Sequence, residues 1–136
     1  MKTEELLALA RRARENAYAP YSGFTVGAAL LSRDGGVFLG CNLENASYSL
    51  TLCAERAAIA SAVSLGVREF ERLALVGGPA GAAPVSCPPC GACLQVLTEF
   101  CSPDFSVAWE SGGVLTERRL CELLPSAFRL KGEKNA

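Results

Sequence analysis

A chain of 136 residues, half of them apolar, has the length of one ordinary domain and enough hydrophobic material to bury a core unaided, so a single domain over residues 1–136 is expected. The formal net charge of -1, with no long run of one sign, leaves no electrostatic footprint for a phosphate backbone and argues against nucleic acid as a partner. The opening "MKTEELLALARR" lacks the apolar core of a signal peptide, and no apolar run approaches the roughly 20 residues that span a bilayer, so a cytoplasmic protein without membrane contact is expected.

In chain order, "TEELLALARRARENAY" carries Leu6, Ala10, Ala13 and Ala17 at helical spacing with charges between them, which predicts a surface helix with Thr3 as its N-cap. Two apolar runs, Phe24 to Leu31 and Val37 to Cys41, flank the turn signal Asp34-Gly35-Gly36 and read as a hairpin. A helix from Ser49 to Leu65 follows, closed by Gly66 as a left-handed cap. "RLALVG" reads as a short buried strand, and "GPAGAAP" as a loop. A helix over Gly91 to Phe100 leads to the strand "FSVAWE", a Gly112-Gly113 turn and a last short helix around Leu120 to Leu124. Strands alternating with helices after an initial hairpin imply an α/β fold with a mixed sheet covered on both faces.

The chemistry is concentrated in the cysteines. Seven is an odd number, and in a reducing cytosol thiols are free or metal-bound, so disulfides are the weaker reading. Histidine is absent, which removes the usual general base and the commonest nitrogen ligand of zinc. In "SCPPCGACLQVL" the two prolines can precede a helix but not sit inside one, so Cys90 and Cys93 fall one turn apart at a helix N-terminus, which favours thiolate over thiol. In "SLTLCAERAAIA", Cys53 and Glu55 stand two positions apart near the front of the other central helix. A Cys-x-x-Cys pair alone could be a redox dithiol. Three thiols, Cys53, Cys90 and Cys93, together with a carboxylate that is not a ligand, make a zinc site with an open fourth position the more economical reading. Cys41, Cys101 and Cys121 read as small core residues. Cys87 offers a rival Cys-x-x-Cys with Cys90, but the prolines hold it in extended backbone ahead of the helix.

The stretches "AYAPYSGFTVGAALL", "GCNLENASY", "CAERAAI", "PCGACLQV" and "ELLPSAF" follow one another in the order and spacing of the small homotetrameric cytidine deaminases, which the chain resembles from Ala17 to Phe128. The pattern of three cysteines, or a histidine and two, with a glutamate that is not a ligand and a Pro-Cys-x-x-Cys signature, is that of the zinc nucleobase deaminases. The resemblance implies a three-layer α/β/α sandwich around a mixed five-stranded sheet. It implies one Zn2+ per chain on Cys53, Cys90 and Cys93, and hydrolysis of cytidine and 2′-deoxycytidine to the uridines with loss of ammonia. Glu55 would take a proton from the attacking water and pass it to N3 of the pyrimidine. Arg56 would draw charge from the thiolates, although an arginine is more often found on a solvated helix face.

Substrate contacts implied by the resemblance are Asn42 and Glu44 to the ribose, Phe24 against the pyrimidine and the backbone N–H of Ala54 towards the base carbonyl. Tyr48 and Phe128 are implied to serve a neighbouring subunit's site in a homotetramer. One departure is Leu94, which stands where the family usually carries an arginine. The alternatives are a deaminase of another cytosine nucleoside such as blasticidin S, a non-catalytic structural zinc or redox module, and polynucleotide editing. The carboxylate of Glu55 argues against a closed structural site, and the missing basic groove against editing.

Overall fold

A computed structural model describes residues 1–130. Its elements in chain order are helix α1 (Thr3–Arg14), strands β1 (Phe24–Ser32) and β2 (Val37–Cys41), helix α2 (Ala54–Ser64), strand β3 (Phe70–Pro79), helix α3 (Gly91–Phe100), strands β4 (Ser106–Ser111) and β5 (Val114–Arg119), and helix α4 (Leu120–Leu123). The five strands form one mixed sheet in the order β2-β1-β3-β4-β5, with β3 and β4 parallel and the other pairs antiparallel.

Strand alternation divides the core between the two faces. Ala28 and Leu30 of β1, Leu73 and Leu75 of β3, and Val107 and Trp109 of β4 face Ala58, Ile59 and Ala62 of α2 and Leu94 and Leu97 of α3. Their neighbours Ala29, Leu31, Ala74 and Val76 point the other way, onto Leu6, Leu7 and Ala10 of α1. The result is the expected three layers, with α1 alone on one face and α2 and α3 on the other. The stretches Val26 to Leu31 of β1 and Leu73 to Gly78 of β3 are apolar without interruption because both of their faces are covered.

Two glycines set how closely the helices approach. A Cβ on Gly27 would lie 2.0 Å from the carbonyl oxygen of Ala10 in α1, and one on Gly40 would lie 2.4 Å from that of Ala54 at the start of α2. Only a residue without a side chain lets both helix backbones rest directly on the sheet.

Several boundaries differ from the expectations: α1 stops at Arg14, short of Ala17, and β3 runs longer, over Phe70–Pro79. Lys2, not Thr3, is the N-cap of α1. The Thr3 hydroxyl is instead engaged across the fold, donating to Glu117 at 3.0 Å and accepting from Arg72 at 3.0 Å. The helix expected from Ser49 is a single 3-10 turn, Tyr48–Leu50, followed by an extended bridge of Leu52 to Leu43, and α2 proper begins only at Ala54. "VLTERR", after the Gly112-Gly113 turn, is a strand, β5, where none is expected. It lies at the sheet edge with most residues exposed, so it lacks the apolar alternation that marks a half-buried strand. Gly66 has the expected left-handed conformation, with φ at 86°. Cys101 is fully buried, whereas Cys41 and Cys121 are only partly covered and are not core residues in the same sense.

Candidate metal centre

Both helices that carry the cysteines begin at one. Cys53 is the N-cap of α2 and Cys90 the N-cap of α3, each with extended backbone (φ -72°, ψ 153° and φ -77°, ψ 165°). Cys93 lies one turn into α3, with its sulfur 3.4 Å from that of Cys90. The Cys90 sulfur also accepts from the Cys93 backbone N–H at 3.5 Å. The correction to Cys53, from helical residue to N-cap, aims its side chain into the space in front of the helix, where N–H groups and the positive end of the helix dipole favour a negative sulfur.

The three sulfurs of Cys53, Cys90 and Cys93 lie within 4.8 Å of one another. Tetrahedral zinc with bonds of about 2.3 Å separates thiolate sulfurs by roughly 3.8 Å, so this donor set fits that ion in both size and softness. Three protein ligands leave one of four positions for a small molecule, as in catalytic rather than closed structural sites.

The charges around the sulfurs are arranged asymmetrically. Cys53 is lowered from the ordinary thiol range to about 5, foremost by a hydrogen bond from Cys93 and then by Arg56. Cys93 is raised, because it keeps its proton to serve as that donor and is itself buried. Metal uptake must displace the protons that these thiols still carry. Arg56 Nη2 donates to the Cys53 sulfur at 3.1 Å, so the guanidinium faces the cluster rather than solvent. Its buried Nε has no hydrogen-bond partner among the described residues. Glu55, 5% exposed, is raised above the usual carboxylate range, first by burial and then by the charge of Cys53.

The other residues implied in substrate binding divide into groups. Phe24 opens β1, and its ring edge lies 3.2 Å from the point where a Cβ of Gly77 would stand. Asn42 is buried and holds β1 in place, accepting from Val26 N–H at 2.9 Å and donating to the Phe24 carbonyl at 2.9 Å. Glu44 accepts from the backbone N–H groups of Tyr21 and Ser22 at 2.9 and 3.1 Å, from the Ser22 hydroxyl, and from the Tyr48 hydroxyl at 3.4 Å. These bonds, led by that from the Ser22 hydroxyl, hold its carboxyl below the ordinary value. Ala54 is fully buried at the first position of α2. Tyr48 and Phe128 are both exposed, the latter at 68%, with the Phe128 carbonyl tied to Gln95 of α3 at 3.0 Å.

Tyr21 and Ser22, which orient Glu44, were not singled out in the sequence. Their signal is the short "PYSG" turn itself, whose small polar residue and free N–H groups suit a carboxylate partner. Cys87 is separate from the cluster of three, yet near it. Burial and the charge of Glu55 push its thiol up to about 11, and its sulfur lies 2.6 Å from the position a Gly77 Cβ would take.

The family model of the cytidine and deoxycytidylate deaminase zinc-binding region matches residues 1–108. The chain is 51% identical over 129 residues to a cytidine deaminase of Sporosarcina psychrophila, covering 94% of this chain and 92% of that protein. It is 32% identical over 109 residues to a blasticidin-S deaminase of Bacillus cereus, covering 76% of each. The crystal structure of a cytidine deaminase from Burkholderia pseudomallei matches with a TM-score of 0.86 at 46% identity, over 94% of this chain and all of that one.

Proposed function

The chain belongs to the cytidine and deoxycytidylate deaminase family, and from that premise we propose that it hydrolyses cytidine and 2′-deoxycytidine to the corresponding uridines at a zinc centre on Cys53, Cys90 and Cys93. The observation that carries the reading is the buried Glu55, with its raised carboxyl, beside three sulfurs spaced for one ion. A purely structural site has no use for such an acid. When bound, zinc brings the pKa of a water from 15.7 towards about 7.

The remaining steps belong to the chain's own residues. Glu55 takes one proton of the attacking water and delivers it to N3 of the pyrimidine, then takes the second from the hydroxyl so formed at C4 and hands it to the amine, which leaves as ammonia as the C4 carbonyl forms. A carboxyl whose affinity for protons has been raised is suited to both directions of transfer. Arg56 offsets the negative charge of the sulfurs, a task it carries without the arginine that Leu94 replaces. Phe24 packs on the base, and the Ala54 N–H points to its carbonyl oxygen. Asn42 retains one N–H and one lone pair beyond its bonds to β1, and with Glu44 it addresses the ribose hydroxyls.

The same reading makes 1–136 one domain and the enzyme a cytoplasmic homotetramer, in which Tyr48 and Phe128 of one subunit complete a neighbour's pocket. Among the described residues no helix is long and apolar enough to cross a membrane.

The direct test follows the loss of cytidine absorbance by the purified protein, with and without a chelator, and repeats it with deoxycytidine and blasticidin S. Turnover of cytidine that stops on chelation supports the reading. Turnover of blasticidin S alone would reassign the substrate. In parallel, metal analysis should give about one zinc per chain. That zinc should disappear in Cys53→Ala, Cys90→Ala and Cys93→Ala, and persist in Cys87→Ala.

A further inference from the structure

We infer that Arg14 is a positioning residue for the metal ligands: its guanidinium clamps the loop that delivers Cys90, an inference that rests on the zinc reading above. The chain between β3 and α3, "AGAAPVSCPPC", is assembled from small residues and prolines, and residues 80–86 are exposed throughout. Burial does not hold such a segment, and conformational entropy opposes its order. What holds it is a small set of hydrogen bonds: backbone ones from Ala80 to Gly23 at 2.7 Å, Ala82 to Pro79 at 3.0 Å and Val85 to Gly77 at 2.8 Å, and two from the side chain of Arg14.

The Nη2 of Arg14 donates to the carbonyls of Pro79 at 2.7 Å and Ala82 at 3.0 Å, on the two sides of the turn that leaves β3. Its Nε donates to the hydroxyl and the carbonyl of Thr25 in β1, at 2.9 and 3.2 Å. The Thr25 hydroxyl in turn donates to the Gly78 carbonyl at 3.1 Å. Gly78 leaves room for this arrangement, since a Cβ there would stand 3.1 Å from Arg14 Nη2. A planar fork with fixed donor directions thus registers the loop against the end of α1 and the start of β1 together.

From that anchor the constraint passes along the chain. Val85 N–H donates to the Gly77 carbonyl at 2.8 Å, and Cys87 lies over Gly77. Pro88 and Pro89, each with φ fixed by its ring, lead directly to Cys90 at the N-cap of α3. Pro84, Pro88 and Pro89 and the tie of Val85 to Gly77 stiffen the seven residues between the clamped turn and the ligand, so a shift at Ala82 is passed on towards Cys90.

The test measures transfer of zinc from the purified, zinc-loaded protein to a colorimetric chelator, alongside amide hydrogen exchange of Ala80–Val85. Arg14→Met keeps the stem and removes the fork, and it should speed zinc release by roughly 10–100-fold, the usual effect of losing a group that orients a ligand. Exchange in the loop should rise with it. Arg14→Lys, with one compact ammonium in place of the fork, should move both readouts in the same direction, and it decides the matter if Arg14→Met does not fold. Leu6→Ala, a core change on the same helix, serves as the control: it should lower thermal stability without faster release. Wild-type release rates in the Arg14 variants, or equal acceleration in Leu6→Ala, would overturn the inference. A wild-type protein that takes up no zinc would overturn the metal reading and this inference with it.

Discussion

Glu55 is a carboxyl kept out of water by its neighbours, and this has two separable consequences. Glu55→Gln keeps the shape but accepts no proton, so turnover should fall by roughly 10²–10⁴-fold or more while zinc content stays unchanged by metal analysis. The second consequence concerns stability. Because the folded carboxyl is raised above its unfolded value, ionisation opposes folding at neutral pH, and that penalty is absent below the ordinary carboxylate range, where both states are protonated. The melting temperature of Glu55→Gln should therefore exceed wild type near pH 7, with the gap closing on acidification.

Arg56 carries the opposite sign. It helps to hold the Cys53 thiol below its ordinary value, so protons compete less well for that sulfur. Without the guanidinium the pKa of that thiol rises. Arg56→Gln should lose zinc at a higher pH than wild type in an acid titration, and the acidic limb of its pH–rate profile should move upward too. Identical titrations and profiles would leave Arg56 with no part in the site. The pairing of Cys90 and Cys93, one turn apart, was legible because its spacing is local, whereas the turn between Cys53 and Arg56 gained a role only from the family resemblance. The bonds of Glu44 to Tyr21 and Ser22 were not legible, since nothing local brings a loop before β1 to the chain after β2.

At the scale of elements, the site depends on how α2 is seated. Gly40 of β2 lies under the first turn of α2, beneath Ala54 and the backbone N–H of Ala58 at the end of that turn. Gly40→Ala forces a methyl group into that contact, with the helix as the part that must move. We expect destabilisation of about 1–3 kcal/mol by thermal or denaturant unfolding, together with weaker zinc retention, because Cys53 travels with the helix it caps. The equivalent change on the other face, Gly27→Ala, should destabilise through α1 with less effect on the metal. Periodicity found the strands β1 to β4 and the helices, because these elements are covered on at least one face. It missed β5, which is exposed, and it started α2 too early. The residues from Ser49 to Leu52 look helical in composition, but the antiparallel pairing of Leu43 with Leu52 closes the loop after β2 and holds them out of the helix.

At the scale of the whole molecule, the surface carries more large apolar side chains near the chain ends and the segment after β2 than a solitary subunit needs. Tyr48, Leu50, Phe128 and Leu130 are all exposed. Assembly would cover them, and on the reading above it would bring Tyr48 and Phe128 to a neighbouring pocket. Light scattering should therefore give a tetramer. Phe128→Ala should raise KM for cytidine without altering zinc content, while a fully active monomer at assay concentration would remove the shared-site model.

The division of the ligands between two helix starts has a kinetic meaning as well. Cys53 precedes β3, while Cys90 and Cys93 follow it, so the ion would close a ring of chain that contains a central strand of the sheet. Such a ring constrains the unfolded ensemble much as a covalent cross-link does, through the entropy of loop closure. It can be closed in native geometry only after β3 has been inserted beside β1 and α3 has folded back over it. Zinc capture would then mark the end of folding rather than its start, and a nascent chain that has emerged only as far as β3 would have no place to keep the ion.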